Sequence, residues 1–244
     1  MKISAICMQC STQNTSNYIR IEDYIKIKEN DLYHFKCSNG HNNLFEIQAF
    51  KFELLFESAL CAIRDQYYLE SVLSLTASLE RFYEFFIRTI IKANGINQVE
   101  YDKLFKNISR QSERQFGAFL AIYSNHFKEA PPKIINQKQT EFRNKVVHKG
   151  FFPEKEQVLK YAEEIFDIIK FYYSKLLDNH NEEVFDIIHE IQLKRRKNNK
   201  SLINELKVQI SNQGIILAIG HNSDIKNKNF NDIYNNILKS KLYK

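Results

Sequence analysis

The sequence predicts a mainly α chain: an antiparallel helical bundle carrying a small β module at its N-terminus. Three observations predict it. Only 6 Gly and 3 Pro punctuate 244 residues, too few for the closely spaced turns of an all-β sandwich or barrel. From Ala49 onward apolar residues recur at the 3.6-residue spacing of a helix. Before that point the spacing is two, and three cysteines and a histidine sit in two short pairs.

With 43% apolar and 26% charged residues the chain has material for one sizeable core, and disorder throughout is excluded. No stretch approaches 18 consecutive apolar residues, and the first seven residues lack the apolar run of a secretory leader. A cytoplasmic protein that does not contact membrane is the expectation. The net charge of +6 suits an anionic polymer as partner without requiring one.

The N-terminal module is expected to span residues 1–46. Its cysteines read Cys7-Met-Gln-Cys10, then 26 residues, then Cys37-Ser-Asn-Gly-His41. In a reducing compartment this spacing fits metal ligation better than disulfides, because Zn²⁺ takes four thiolate and imidazole donors in a tetrahedron. Tyr18–Ile21 and Tyr24–Ile27 alternate as strands do, and Asp31–Lys36 is the expected return strand after Glu29-Asn30. The arrangement resembles a zinc ribbon, which implies a structural Zn²⁺ held by Cys7, Cys10, Cys37 and His41 and needed to stabilise so small a fold. The three-residue gap before His41 departs from the commoner Cys-x-x-Cys pair, and His34 competes for the fourth position. Cys61 falls on the apolar face of the next segment and reads as a buried thiol.

The helical body is expected over residues 49–178. Phe52, Leu55, Phe56, Ala59 and either Ala62 or Ile63 mark a first helix; Val72, Leu75, Leu79, Phe82, Phe86 and Ile90 mark a second that stops at Gly95. Nothing in Asp65-Gln-Tyr-Tyr68 demands a break, so the two are expected to be partly continuous. A third helix is placed within Glu100–Phe127 and ends before Pro131-Pro132. A fourth ends at Gly150 with Pro153 beyond it, and a fifth covers Glu154–Leu177. Residues 179–244 form an extension richer in Asn and Lys. Glu183–Leu193 keeps helical periodicity, Gly214–Gly220 reads as a buried strand or short apolar helix, and Ile233, Ile237 and Leu238 hint at a last helix.

The chemistry concentrates in the fourth helix. In Glu141-Phe-Arg143-Asn144-Lys-Val-Val-His148-Lys-Gly150, Asn144 and His148 lie one turn apart on one face, and the long Arg143 side chain can join them. A guanidinium can hold a phosphate through two parallel N–H bonds, while an imidazole can take or give a proton. Together these are the parts for RNA backbone cleavage through the ribose 2′-hydroxyl.

The string Arg143-Asn144-x-x-x-His148-x-Gly150, late in a helical bundle and followed by Pro153, resembles the signature of the HEPN superfamily. That resemblance covers about residues 50–177, including the earlier helix with Ser78-Leu-Glu80-Arg-Phe-Tyr. It implies a metal-independent endoribonuclease of a bacterial toxin–antitoxin or antiviral defence system, leaving 2′,3′-cyclic phosphate ends. It also implies a homodimer with a composite cleft and an antitoxin or defence-system partner. Arg143 and His148 take the catalytic roles, Asn144 a supporting one, and Glu80, with Asp65 behind it, that of an acidic residue on an earlier helix. Lys145, Lys149, Lys194, Arg195 and Arg196 are candidates for RNA phosphates, with a solvated basic face as the alternative. The plainer reading pairs Arg143 with a carboxylate such as Glu80 and leaves His148 as a helix cap. The protein is then a non-catalytic adaptor that binds nucleic acid or protein. His126, His180, His189 and His221 have no partner visible in the sequence and are expected on the surface.

Overall fold

The computed structural model describes residues 1–13, 21–27, 32–217 and 223–243. It is mainly helical, with a small region of sheet built largely from the N-terminal residues. Strand β1 (Lys2–Ile6) leads into the short helix α1 (Met8–Gln13) and pairs antiparallel with β2 (Ile21–Lys26). A second sheet pairs β3 (Leu32–Lys36) antiparallel with β4 (Asn42–Ile47). Strand β5 (Ile210–Gln213) adds to β4 in parallel.

The expected hairpin between Tyr24–Ile27 and the strand ending at Lys36 is therefore not formed: those strands lie in different sheets. The reason is local. The β3–β4 turn is closed by Gly40 at φ +83, a left-handed conformation that glycine adopts without strain, so β3 meets the strand after it. Tyr18 to Arg20, Asp31, Ala218 to Gly220 and His221 lie outside the described residues.

The helical body comprises α2 (Lys51–Arg64), α3 (Tyr68–Ala93), α4 (Gln98–Ile108), α5 (Ser112–Phe127), α6 (Gln137–Lys149) and α7 (Lys155–Asn198). Helix α3 is central and touches α2, α4, α5, α6 and α7. Its buried stripe of Val72, Leu75, Leu79, Phe82, Phe86 and Ile90 is the one the periodicity predicts. Phe86, Phe119, Tyr123 and Tyr172 meet with ring centroids 5.0 to 6.1 Å apart, the range of edge-to-face and tilted aromatic packing.

Three boundaries differ from expectation. Helices α2 and α3 are not continuous: Gln66 is left-handed at φ +66, and the Tyr67 N–H bonds back to the Ala62 carbonyl at 2.8 Å. The third expected helix is two: Asn97 caps the start of α4 by accepting from Val99 and Glu100 N–H groups at 3.0 and 3.1 Å, and the helix stops at Ile108, before α5 begins at Ser112. The third lies in α7, which is two helical stretches meeting at His180, where φ is −142 and ψ is 39: the first ends close to the expected Leu177, and the second runs to Asn198, beyond the expected Leu193.

Beyond α7 come α8 (Lys200–Leu206), β5, a 3₁₀ turn (Ser223–Asn227) and α9 (Phe230–Lys239). Helix α9 packs on α2 and α7, with Ile233 and Ile237 buried. Gly214 to Leu217 is irregular. Residues from all three sequence segments, among them Ile3, Phe45, Phe86, Ile165, Leu217 and Ile237, share one hydrophobic cluster. No helix among the described residues is long and apolar enough to cross a membrane.

Candidate functional site

The chain brings together two constellations. The first joins the end of β1 to the β3–β4 turn. Ser11 returns its N–H and hydroxyl to the Cys7 carbonyl at 3.0 and 2.9 Å, which curls Cys10 back beside Cys7. The Gly40 N–H bonds to the Cys37 carbonyl at 2.9 Å and the Cys37 N–H to the His41 carbonyl at 3.0 Å, folding Cys37 and His41 onto one side.

The three Sγ atoms and a ring nitrogen of His41 lie within 4.8 Å of one another. Cys10 Sγ is 3.8 Å from Cys37 Sγ, and His41 Nδ1 is 3.7 Å from Cys7 Sγ and 3.3 Å from Cys10 Sγ. With bonds of about 2.3 Å to sulfur and about 2.0 Å to nitrogen, a tetrahedral ion sets its donors about 3.5 to 3.8 Å apart. The donor set fits, and all four cysteines of the chain are free thiols.

The electrostatics agree. Burial raises the Cys7 thiol, but hydrogen bonds from the Cys10 backbone, Asn43, His41 and Cys10 outweigh it and bring it down to about 6. At Cys10 a hydrogen bond from Asn39 (Nδ2 to Sγ, 3.3 Å) lowers the thiol, yet burial and the neighbouring Cys7 and Cys37 raise it overall. Thiolates crowded this closely resist ionising together, and a cation among them removes that resistance. His34 sits elsewhere, its Nε2 3.2 Å from Asn42 Oδ1.

The second constellation lies where α6 crosses α3. Loop and helix are placed by α7: Tyr172 donates to the Lys133 carbonyl at 2.6 Å, and Glu164 accepts from the Asn136 N–H at 2.7 Å. Asn136 then caps α6 by accepting from the Gln139 N–H at 2.9 Å. Helix α6 ends at Gly150, left-handed at φ +66, as the sequence predicts. Val146 alone of its residues is buried, so the side carrying Arg143, Asn144 and His148 is not consumed by packing.

Glu80, Arg143, Asn144 and His148 all line one cavity of about 330 Å³. Arg143 Nη1 donates to Asn144 Oδ1 at 2.7 Å, which fixes the guanidinium along its helix. Glu80 Oε1 is 3.9 Å from Arg143 Nη2, an ion pair at its outer limit. Burial raises the Glu80 carboxyl above its ordinary value, Arg81 and Arg143 oppose the rise, and Glu113 adds to it. His148 is exposed at the cavity's edge.

The cavity also has residues that sequence reading passes over. Tyr83 and Tyr161 read as core aromatics by spacing, and they are buried, yet both line the cavity. Tyr161 shares a hydrogen bond with Thr76 at 3.0 Å, while the buried Tyr83 hydroxyl has no hydrogen-bond partner among the described residues.

The other candidates divide. Lys145, Lys149 and Lys194 are exposed, and Lys145 lies by a separate groove with Lys138, Lys160 and Phe151. Arg195 instead donates to the Ile47 and Ala49 carbonyls at 2.9 and 3.4 Å, and Arg196 Nη2 to Glu46 Oε1 at 2.6 Å. Both guanidiniums thus clamp α7 onto β4. Asp65 pairs with its neighbour Arg64 at 2.7 Å, away from the cavity. Cys61 is buried, and burial pushes its thiol up to about 12, an unreactive core group as expected.

His126 and His180 correct the expectation of unpartnered surface imidazoles: their Nε2 atoms are 2.8 Å apart, at the end of α5 and the kink of α7. They are 54 residues apart in the chain, so no local spacing signals the pair. His189 is exposed. No family model, no curated protein and no solved structure matches this chain, so the site is read from its own geometry.

Proposed function

We propose that the protein is an endoribonuclease that works on the HEPN plan, with Arg143 and His148 as its catalytic pair and a structural Zn²⁺ in a ribbon-like N-terminal module. The observation that carries the reading is the convergence of a guanidinium, an amide, an imidazole and a carboxylate on one cavity open to solvent. In this scheme an imidazole takes the proton of the ribose 2′-hydroxyl, and the oxygen attacks the adjacent phosphorus. Arg143 holds the charge that builds on the phosphoryl oxygens, and Asn144 keeps Arg143 in place. A second imidazole protonates the departing 5′-oxygen, giving a 2′,3′-cyclic phosphate and a 5′-hydroxyl.

A homodimer that sets two Arg143–His148 pairs across one cleft supplies both imidazoles, and the role is that of a toxin or antiviral effector answering to a protein partner. DNA, lacking the attacking hydroxyl, is inert. A Zn²⁺ on Cys7, Cys10, Cys37 and His41 cross-links the end of β1 to the β3–β4 turn and stabilises that module. Lys145 and Lys149 serve the RNA backbone by charge alone.

One observation favours the second reading, a module that binds without cleaving: Arg143 is already engaged with Asn144 and close to Glu80. Single substitutions separate the two. Arg143→Ala and His148→Ala are each expected to lower cleavage of total RNA by about 10²-fold or more, with circular dichroism unchanged. Full cleavage by both variants, or none by the wild type, removes the enzyme reading.

A further inference from the structure

Helix α6 borders a second concave surface on its far side from the Arg143 cavity. There α6 and the start of α7 flank a groove of about 490 Å³ whose lining includes Lys138, Glu141, Phe142, Lys145, Phe151 and Lys160. The three lysines are exposed, and their ammoniums make no ion pair or hydrogen bond among the described residues. One carboxylate stands against them, that of Glu141, which accepts from Gln137 Nε2 at 3.0 Å. Residues 137–160 carry six Lys and Arg against three Glu, so a tenth of the chain holds half of its net charge of +6. Unpaired charge of one sign around a concavity attracts a polyanion. The groove also has an aromatic face to offer, because Phe151 lines it while remaining 41% exposed.

Groove and cavity are joined over the outer surface of α6. His148 lines the cavity and Lys145 the groove; three residues apart, they are neighbours on the helix surface. Beside them Phe142 of the groove meets Tyr161 of the cavity, with ring centroids 5.7 Å apart. A strand that leaves the cavity past His148 therefore reaches Lys145 within one turn of helix and enters the groove.

We infer that the groove takes the unpaired RNA strand adjoining the cleaved nucleotide: Lys138, Lys145 and Lys160 contact its phosphates, and one of its bases stacks on Phe151. The inference rests on the ribonuclease reading and assigns where the substrate runs beyond the catalytic pair. An ammonium meets a phosphate as a point charge, and every base has a face that stacks, so the groove holds RNA without reading its sequence. A paired stem keeps its bases stacked on one another and leaves Phe151 nothing to cover it. An acidic peptide matches the lysines and not the ring. The groove thus selects single strands.

Fluorescence anisotropy of the full-length protein tests this with a short single-stranded RNA whose 2′-O-methyl riboses prevent cleavage. Lys138→Glu combined with Lys160→Glu is expected to weaken binding about tenfold or more, and to flatten the log–log salt slope by about 1.4, two phosphates at about 0.7 each. Phe151→Ala is expected to weaken binding about fivefold or more with the slope unchanged. The same RNA annealed to its complement, and polyglutamate as an acidic chain without bases, are expected to bind more weakly than the single strand. Equal or tighter binding of either probe, or single-strand binding that neither variant changes, overturns the inference. The two readings fail separately. Cleavage of unmodified RNA by a wild type whose binding ignores both variants ends the groove and leaves the nuclease, whereas groove-dependent binding with no cleavage ends the nuclease and leaves the groove. Thermal midpoints identify a variant that does not fold, and the other then decides.

Discussion

Glu57 offers a measurement of how the C-terminal segment is fastened to the body. It is fully buried on α2 and accepts hydrogen bonds from the Leu217 N–H and the Tyr243 hydroxyl. Burial raises its carboxyl to about 7; the hydrogen bonds from Tyr243 and the backbone at Leu217 and Ile216 oppose the rise, and Glu53 one turn earlier adds to it. The folded value lies above the ordinary 4.5, so folding favours the protonated form. The stability Glu57 contributes is complete below about pH 4.5 and is lost as pH climbs through about 7. A rise of about 2.5 pH units at about 1.4 kcal/mol per unit makes the loss about 3 kcal/mol between pH 4.5 and pH 8.5.

Glu57→Gln keeps the size and an acceptor for Leu217 but cannot ionise. Urea unfolding of both proteins at pH 5 and pH 8.5 isolates the effect, since titrating groups that do not interact with Glu57 cancel in the double difference. The variant is expected to be the more stable at pH 8.5, by about 2.5 kcal/mol relative to the gap at pH 5. Equal pH dependence in the two proteins would falsify the assignment of a neutral buried Glu57.

The remaining predictions probe other links. Arg196→Ala leaves Glu46, which is 0% exposed, without its cation. The expected cost is about 3 kcal/mol, the low end for a broken buried pair because Arg196 itself is 47% exposed, and Glu46→Gln added to it recovers part; chemical denaturation reads both. Phe86→Ala empties the centre of the aromatic cluster and is expected to cost about 3 to 5 kcal/mol in the same assay, with a loss under 1 kcal/mol contradicting the packing described. Metal analysis of fresh, reduced protein is expected to find one zinc per chain, lost in Cys7→Ser and Cys37→Ser; a content near zero in the wild type rules out the tetrahedral site.

Much of the body was legible in the residues alone. The stripes of α2, α3 and α7, the stop at Gly150 and the cap geometry around it depend on neighbours within a turn or two, and a turn or two is what periodicity records. The metal-ligand spacing was legible for the same reason, because each Cys and His pair is local and the chemistry of thiolates restricts its use. Strand pairing was not: β5 joins β4 from more than 160 residues away, and nothing in either strand names the other.

The sequence by itself therefore determined a helical protein with four soft donors at its front and an Arg, Asn and His on one late helix. Only the tertiary structure decided what those groups face. Whether a guanidinium borders an open cavity beside Asn144 and Glu80, as Arg143 does, or binds the Glu46 carboxylate and the Ile47 carbonyl of β4, as Arg196 and Arg195 do, depends on which distant elements pack beside it. The same holds for Tyr83, whose spacing places it in the core and which also lines the cavity that α3, α5 and α6 share. Apolar burial is non-directional and is written into every turn of a helix, whereas polar partners are chosen across long separations, so the core can be read locally and the site cannot.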